Sequence, residues 1–315
     1  MKPLDALVTA APEPPGRPRV VVTAGQARDI EATPRSGAGG ESAAPLDPRV
    51  YQIVVLSLLL SYGMWRLDLE IDPVRALAIV ATGLLTQLVG GALTGLSRFD
   101  PRSALISGLS LCLLLRTDDP RLAALAAVVA VGSKFVLRVR GKHVFNPTNL
   151  ALVLMMLATG RVWASPGQWG SAALFAFALA SAGSLVVSRA GRADVTCAFL
   201  ATWAALLIGR ALWLGDPLAI PLHRLQNGAL VLFAFFMISD PRTTPDSRAG
   251  RILFAILVAA GAYAVQFKLF WTNGPLWSLA ACSLAVPLID RLLPAARHQW
   301  RAAPAPGAPP ERTAP

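Results

Sequence analysis

Residues 103–115 read SALISGLSLCLLL, and residues 228–238 read GALVLFAFFMI. Both stretches are apolar, but they contain thirteen and eleven residues, whereas a helix that crosses a lipid bilayer needs about 20. We therefore predict a short or broken membrane helix at each place. Broken helices leave free backbone N–H and C=O groups near the middle of the bilayer, so these two stretches also indicate where a ligand would bind.

The composition of the whole chain requires lipid around it. Of the 315 residues, 54% are hydrophobic and only 15% are charged, which is more apolar surface than one water-soluble core can bury. Ten apolar segments are separated by polar breaks, and because lipid leaves no backbone group without a partner, we predict that all ten are helical. The predicted segments are Val50–Trp65, Val74–Leu96, Ser103–Leu115, Leu122–Leu137, Leu150–Ala164, Ser171–Val187, Val195–Leu214, Gly228–Ile238, Ile252–Phe267 and Leu276–Leu293.

The distribution of positive charge predicts the orientation of these segments. Cytoplasmic loops retain Lys and Arg during membrane insertion. If both tails and the loops on their side are cytoplasmic, 21 of the 29 basic residues lie inside, with Lys134 and Lys142 counted among the loops. This asymmetry favours ten crossings with both termini in the cytoplasm. It also accounts for the net charge of +11 without a nucleic acid partner.

The two short segments hold the third position in each set of five. Because five is an odd number, the second set must enter the membrane in the opposite orientation. We therefore predict an all-α polytopic membrane protein built from two inverted five-helix repeats, residues 50–164 and 171–293. The alternative is that both short segments are ordinary helices, extended by flanking residues such as Arg102 and Arg116.

The segments outside the membrane domain, which spans residues 50–293, have a different composition. Residues 1–49 and 294–315 are rich in Pro, Ala and Arg. Such segments bury too little apolar surface to fold, so we predict two disordered cytoplasmic tails.

The polar break Gly141–Asn149, GKHVFNPTN, precedes the fifth segment. Asn146 is a favourable N-cap and Pro147 suits the first helical position, so the first N–H groups of this helix can face an acceptor. Thr148 and Asn149 add hydrogen-bonding groups. The alternative interpretation is a helix cap followed by nothing more than a basic cytoplasmic loop.

A second polar break, Ser239–Asp246 or SDPRTTPD, follows the short eighth segment. Its Asp240 lies at the predicted membrane boundary. The carboxylate could accept hydrogen bonds from a ligand, pair with Arg242, or cap a turn. The sequence leaves these three roles open.

Other kinds of site have little support. The three cysteines and three histidines lie far apart, without the spacing of metal or redox centres. No Asp or Glu lies in the middle of a predicted segment, which argues against a proton pump that works alone through buried carboxylates.

Four blocks of the sequence are similar to those of a known family. The blocks are Ser103–Leu109 (SALISGL), Gly141–Asn149 (GKHVFNPTN), Phe235–Thr244 (FFMISDPRTT), and Gly250–Arg251 together with Leu288–Arg291 (LIDR). With them the chain resembles the RnfD/NqrB family, the membrane subunits of the Rnf electron-transport complex and of the sodium-translocating NADH:quinone oxidoreductase. Members of this family have ten helices in two inverted halves.

The resemblance implies an electron carrier in the bacterial inner membrane rather than a complete enzyme. Electrons would pass between flavins of several redox subunits, coupled to sodium or proton movement. Carried over by position, the residues that would line a flavin site are Asn146, Thr148, Asn149 and Asp240, with Lys142 and Ser107 as neighbours.

One motif departs from the family pattern. Members attach FMN to a threonine in an SGAT-like motif after the fifth helix, whereas residues 158–170 here read ATGRVWASPGQWG, and Thr159 lies in no such motif. A flavin, either riboflavin or FMN, is therefore expected to bind noncovalently in a divergent member. Two other functions stay open: a small-solute permease on an inverted-repeat scaffold, and a membrane protein of an enediyne-type biosynthetic gene cluster.

Overall fold

A computed structural model describes residues 47–66, 71–96, 98–164, 182–184, 186–188 and 191–297. Most of these residues are helical. The helices are α1 (Pro48–Arg66), α2 (Pro73–Leu93), α3 (Arg102–Leu114), α4 (Pro120–Val136), α5 (Pro147–Thr159), α6 (Ala193–Leu214), α7 (Ala219–Leu225), α8 (Gly228–Leu232, continued as a π-helix over Phe233–Met237), α9 (Arg248–Phe267), α10 (Gly274–Ser283) and α11 (Val286–Leu292). Four short strands form two antiparallel pairs: β1 (Leu115–Thr117) with β4 (Val162–Ala164), and β2 (Arg138–Val139) with β3 (Lys142–His143).

Local sequence signals explain where several helices begin and end. Four helices start at an Asx-Pro pair, in which the Asx side chain accepts a backbone N–H of the first turn and proline takes the first helical position. These pairs are Asp47-Pro48 for α1, Asp72-Pro73 for α2, Asp119-Pro120 for α4 and Asn146-Pro147 for α5. Helix α5 ends at Gly160, whose φ of 60° turns the chain out of the helix.

Several helices are long and apolar enough to cross a membrane. Within the described residues these are α2, α6 and α9, or four spans if α10 and α11, which are bent by 52° at a short break, count as one. Only 17% of the most apolar window of α2 is buried inside the protein. Its exposed face carries large apolar side chains such as Leu77, Leu85 and Leu88, so we assign that face to lipid. The chain is a multi-pass membrane protein.

The short third segment is a combination of helix and strand. Helix α3 has thirteen residues, or about 20 Å at 1.5 Å per residue. Strand β1 follows directly, is fully buried and pairs with β4, which adds about 10 Å. Non-helical backbone is tolerated at membrane depth where it is buried in protein. The prediction of a short third helix is therefore confirmed.

The structure corrects the bounds of two other predicted segments. The fifth was expected to be helical through Ala164, but the helix stops at Thr159 and the chain returns as β4. The tenth was expected to be one helix, but it bends between α10 and α11 because Pro287 has no N–H to donate to the preceding turn. Helix α7 and the four strands had no signal in the apolar pattern. Most of the predicted sixth segment, residues 171–187, lies outside the described residues.

Ion pairs join the polar ends of the helices in two groups. In the first group, Arg49 and Arg102 bind Asp47 and Asp100, Lys142 binds Asp246 and Asp290, and Arg251 binds Asp194. In the second group, Arg161, which follows α5, binds Asp118 and Asp119 between α3 and α4. Burial alone would raise the pKa of the Asp100 carboxyl, but hydrogen bonds from Arg102 and the charge of Arg49 lower that pKa to about 2. This carboxylate therefore stays charged at neutral pH.

A close approach of α9 and α10 makes glycine necessary at one position. A Cβ at Gly274 would lie 2.5 Å from the carbonyl oxygen of Ala262, a backbone atom that cannot move aside alone. We expect Gly274→Ala to lower the free energy of unfolding by about 1–3 kcal/mol, as overpacking does. Gly209→Ala in α6 is the matched control, because a Cβ there meets nothing within 4 Å.

The two glycine variants are best compared by SDS-induced unfolding in a mild detergent. We expect Gly209→Ala to leave the unfolding midpoint unchanged or to raise it slightly, since alanine favours a helix by up to about 1 kcal/mol over glycine. Equal midpoints for both variants would contradict the proposed contact between the helix backbones.

Candidate functional site

A cavity of about 80 Å³ lies where the N-terminal parts of α3 and α5 meet the C-terminal end of the π-helix. Its walls are partly apolar, with Ile106, Phe235 and Met237 among them. The polar residues that line it are Arg49, Gln52, Ser103, Ser107, Ser110, Lys134, His143, Asn146, Thr148, Ser239, Asp240 and Arg242. The ends of the two short segments thus surround one polar pocket.

Four of the six site residues predicted from the sequence line this cavity. Ser107 comes from α3, Asn146 and Thr148 come from the start of α5, and Asp240 comes from the turn after α8. The Thr148 hydroxyl is 3.5 Å from the Ser107 carbonyl oxygen, to which it donates. The fold therefore brings together residues that are more than 130 positions apart in the sequence.

Asn146 caps α5 as the sequence predicts. Its Oδ1 accepts the backbone N–H of Asn149 at 3.1 Å, and Pro147 follows in the first turn. The Nδ2 group donates to the Met237 carbonyl at 3.3 Å, so the same amide also joins α5 to the end of the π-helix. The capping role is confirmed, and the same side chain links α5 to the π-helix, which form two walls of the cavity.

Asp240 caps a turn, which is one of the three roles that its sequence position allowed. Its Oδ1 accepts the backbone N–H of Arg242 at 3.0 Å, and its carbonyl accepts the hydroxyl of Thr244 at 3.0 Å. No ion pair joins its carboxylate to Arg242 in the described part of the chain. Burial raises the pKa of the Asp240 carboxyl despite the opposing effect of the Arg242 N–H and charge.

The structure places the other two predicted residues away from the cavity. Asn149 is completely buried, and its Nδ2 donates to the Leu276 carbonyl of α10 at 3.1 Å. The Nζ of Lys142 lies 3.0 Å from Asp246 and 2.7 Å from Asp290. Neither side chain lines the cavity. In this structure both residues join separate parts of the chain.

Lys134 is a lining residue that the sequence analysis assigned to a loop. It lies in the last turn of α4, only 5% of its surface is exposed, and its Nζ donates to the Ser103 carbonyl at 2.7 Å. No carboxylate lies within 4 Å of this ammonium among the described residues. A lysine inside an apolar segment was the available signal, because such residues usually serve function.

His143 and Arg242 close the cavity on the side of the polar loops. The Nη1 of Arg242 is 3.4 Å from the Nε2 of His143. Burial, with Arg242, Arg138 and Lys134 nearby, lowers the pKa of His143 to about 3. The imidazole is therefore neutral at neutral pH. Lys134 and Arg242 against the single Asp240 leave this part of the cavity with excess positive charge.

A second cavity, of about 210 Å³, lies at the other end of α8. It is mainly apolar and is bordered by Trp203, Phe233 and Leu276, with Asn273 and Gln266 at its edge. Met237 lines both cavities. The short eighth segment therefore has a polar pocket at one end and an apolar pocket at the other.

Comparison with known proteins finds similarity to one family model and to subunits of an ion-translocating oxidoreductase complex. Residues 160–298 match the model of the NQR2, RnfD, RnfE family. The chain is 36% identical over 73 residues to the D subunit of the ion-translocating oxidoreductase complex of Tolumonas auensis, a match that covers 23% of this chain and 21% of the relative. Its counterparts in two other bacteria match over 106 residues, 34% of this chain and 30% of each relative, at 30% identity in Citrobacter koseri and 31% in Escherichia coli O1:K1 / APEC.

Each match covers only part of this chain and only part of the relative. The chain spans between about a fifth and a third of the length of these relatives. The family model starts after α5 and covers Asp240 and the Arg251–Asp194 pair, but not Asn146. The resemblance to this family is nevertheless confirmed for the second part of the chain: residues 160–298, which include the blocks at 235–244 and 288–291, match the model of the NQR2, RnfD, RnfE family.

Proposed function

We propose that this chain is a membrane subunit of an ion-translocating oxidoreductase complex, and that it carries electrons through a flavin held noncovalently in the polar cavity. The observation that carries the proposal is the convergence of Lys134, Asn146, Thr148 and Asp240 at the ends of the two short segments. The names of the relatives support membership in such a complex. Other redox subunits would supply and accept the electrons.

The ten-crossing topology is part of this proposal, and the ion pairs support it. With ten crossings, the residues before α1, the loop between α2 and α3, the loop between α4 and α5 and the loop before α9 all lie on one side. In the described part of the chain, each ion pair between different loops joins partners that this topology puts on the same side. The excess of Lys and Arg in the tails and loops on that side supports a cytoplasmic location for it, and for both termini, in a bacterial inner membrane.

Matching features in the two halves support an inverted repeat over residues 50–164 and 171–293. In the first half α2 packs along α4, and in the second α6 packs along α9. Helix α5 starts at Asn146-Pro147, and its counterpart α10 starts at Asn273-Gly274-Pro275. The Asn273 Nδ2 donates to the Ala164 carbonyl of β4 at 3.0 Å, and the Asn146 Nδ2 donates to the Met237 carbonyl of the π-helix. Each of these two asparagines therefore forms a hydrogen bond with the other half of the chain.

The lining of the cavity fits the polar edge of a flavin better than its whole ring system. A flavin presents N–H and C=O groups and supplies reversible electron transfer when bound. Thr148, Ser107 and the Lys134 ammonium offer hydrogen bonds to such an edge, and the lysine charge favours the electron-rich form of a bound ring. A site for a drug-sized ligand has roughly 300–1,000 Å³, so the 80 Å³ cavity accommodates one edge. Binding of the full ring requires side chains that line the cavity to move aside.

The proposal assigns no covalent link to FMN. The Thr159 hydroxyl donates to the Met155 carbonyl at 2.7 Å at the end of α5, and its surroundings lack the family motif. The protein is therefore expected to release its flavin on acid precipitation. A yellow pellet would contradict noncovalent binding.

Lys134→Met separates the role of this lysine in binding from any role in folding. Replacing a buried, unpaired charge with an apolar side chain of similar volume is expected to leave stability unchanged or to raise it. Flavin affinity should fall roughly tenfold, because a charge-assisted hydrogen bond is lost. The measurement is the visible spectrum of protein purified in mild detergent, followed by titration with riboflavin and FMN.

The control for this experiment is Lys268→Met, which removes a lysine that follows α9 and lies outside the cavity. It should retain the flavin content of the unmodified protein. A colourless, folded protein that binds neither flavin on titration would remove the basis for the electron carrier.

A small-solute permease is the second candidate, and one observation favours it. The polar cavity and the apolar cavity lie at opposite ends of α8, and Met237 lines both. Opening at Met237 would connect them across the membrane. This function predicts faster solute flux into liposomes that contain the flavin-free protein. Equal flux in protein-free liposomes would exclude it for the solutes tested.

A further inference from the structure

A third cavity, of about 220 Å³, lies beside the polar cavity, and its charged lining residues are four bases and one acid: Arg138, Lys142, Arg242, Arg297 and Asp246. The hairpin of β2 and β3 forms one wall, the turn at Pro241 and Arg242 forms another, and Arg297 lies on a third side. Arg140 and Gly141 have φ angles of 52° and 79° in the hairpin turn, which brings Arg138 and His143 opposite each other. The proposed topology puts this cavity on the cytoplasmic side.

Three arginines of this cavity carry charge that no carboxylate neutralises. Lys142 is already paired with Asp246 and Asp290. By contrast, Arg138, Arg242 and Arg297 have no carboxylate within ion-pair distance in the described ranges. Asp240 uses its Oδ1 on the Arg242 backbone N–H. The three arginines are exposed, so an anion from solution can reach them.

His143 adds an unused donor to these charges. Arginine can only donate hydrogen bonds, so the Nη1 of Arg242 requires His143 Nε2 to be the acceptor. The proton of the neutral ring must then lie on Nδ1. That buried Nδ1 has no hydrogen-bond partner among the described residues. A buried N–H without an acceptor is unfavourable, so a movement of the surrounding side chains that let an anion oxygen reach this N–H would be favoured.

We infer that this cavity is a binding site for a phosphate group. Guanidinium forks from several directions match the oxygens of a phosphate, which accepts several charge-assisted hydrogen bonds at once. The phosphate could belong to an anionic phospholipid headgroup, since basic pockets on the cytoplasmic side of membrane proteins bind such headgroups. It could equally belong to a soluble phosphate ester. The inference does not depend on flavin binding: Arg242 also lines the polar cavity, but Arg138 and Arg297 do not.

The test uses the full chain, purified in neutral detergent and depleted of lipid. Inorganic phosphate and pyrophosphate are titrated by calorimetry, and lipid selection is measured by native mass spectrometry after reconstitution with equal parts of phosphatidylcholine and phosphatidylglycerol. The variants are Arg242→Gln and Arg297→Gln. Arg297 is exposed and forms no ion pair with the described residues, so its replacement leaves the fold intact even if Arg242→Gln does not.

Arg248→Gln is the matched control, because it removes an exposed arginine at the start of α9 that does not line the cavity. We expect phosphate affinity, or selection of phosphatidylglycerol, to fall roughly tenfold in each site variant, about 1.4 kcal/mol, and to stay unchanged in the control. Binding of inorganic phosphate or pyrophosphate would indicate a soluble phosphate ester as the ligand. Selection of phosphatidylglycerol without binding of either anion would indicate a lipid headgroup. If neither phosphate binding nor lipid selection is detected, or if affinity falls equally in the Arg248→Gln control, the proposed site is wrong.

Discussion

Arg251→Met is expected to lower the free energy of unfolding by about 3–5 kcal/mol, because it leaves a mostly buried carboxylate without its partner. The Nε of Arg251 is 3.0 Å from Asp194 Oδ1, and its Nη2 is 2.5 Å from Oδ2. The side chains are only 12% and 13% exposed. The pair joins the first turns of α6 and α9, and Nη1 of the same guanidinium donates to the Asp246 carbonyl at 2.7 Å.

Two further variants test this explanation. Arg248→Met removes a charge from the same turn of α9, but Arg248 is exposed and should change the unfolding midpoint in SDS by little, since isolated surface charges contribute about 0–1 kcal/mol. The double variant Asp194→Asn with Arg251→Met should recover most of the lost stability, because no charge is then left unpaired. If the double variant is as unstable as Arg251→Met alone, the buried charge is not the cause.

Asn149→Asp is expected to have a comparable effect, a loss of about 3–5 kcal/mol, since an uncompensated charge would then lie in a fully buried position. Asn149 is 0% exposed between α5 and α10, and its Nδ2 donates to the Leu276 carbonyl. The introduced carboxylate would face that carbonyl oxygen instead of donating to it. Its second oxygen would take the place of Oδ1, which has no hydrogen-bond partner in the described chain.

Asn149→Ala distinguishes a structural role from a role in binding. It removes the hydrogen bond to α10 without introducing a charge, so the expected loss is smaller, about 1–3 kcal/mol. The geometry places Asn149 outside the cavity, and we therefore expect flavin content per folded protein to stay unchanged. Unfolding in SDS and the visible spectrum measure the two quantities on one preparation. If flavin content falls while stability does not, Asn149 contributes to flavin binding and the structural interpretation is wrong.

Much of the candidate site was predictable because the signals for it are local. The Asn-Pro pair at Asn146 sets a helix start through backbone geometry that involves neighbouring residues only. The family blocks added Ser107 and Asp240, and the structure places all of these around one cavity. Lys142 and Asn149 belong to the same blocks, yet they lie elsewhere, because the acids that pair with Lys142 come from residues 246 and 290.

Nine of the segments predicted from the apolar pattern overlap described helices. The pattern is informative because, in lipid, each long apolar run must pair its backbone N–H and C=O groups within itself. It indicated the short third and eighth segments for the same reason. Tertiary contacts decided the rest. Lys134 is a buried cavity residue only because the Ser103 carbonyl accepts its ammonium, and β1 replaces a helical turn only because β4 returns to pair with it. Such partners lie far along the chain, where no local pattern specifies them.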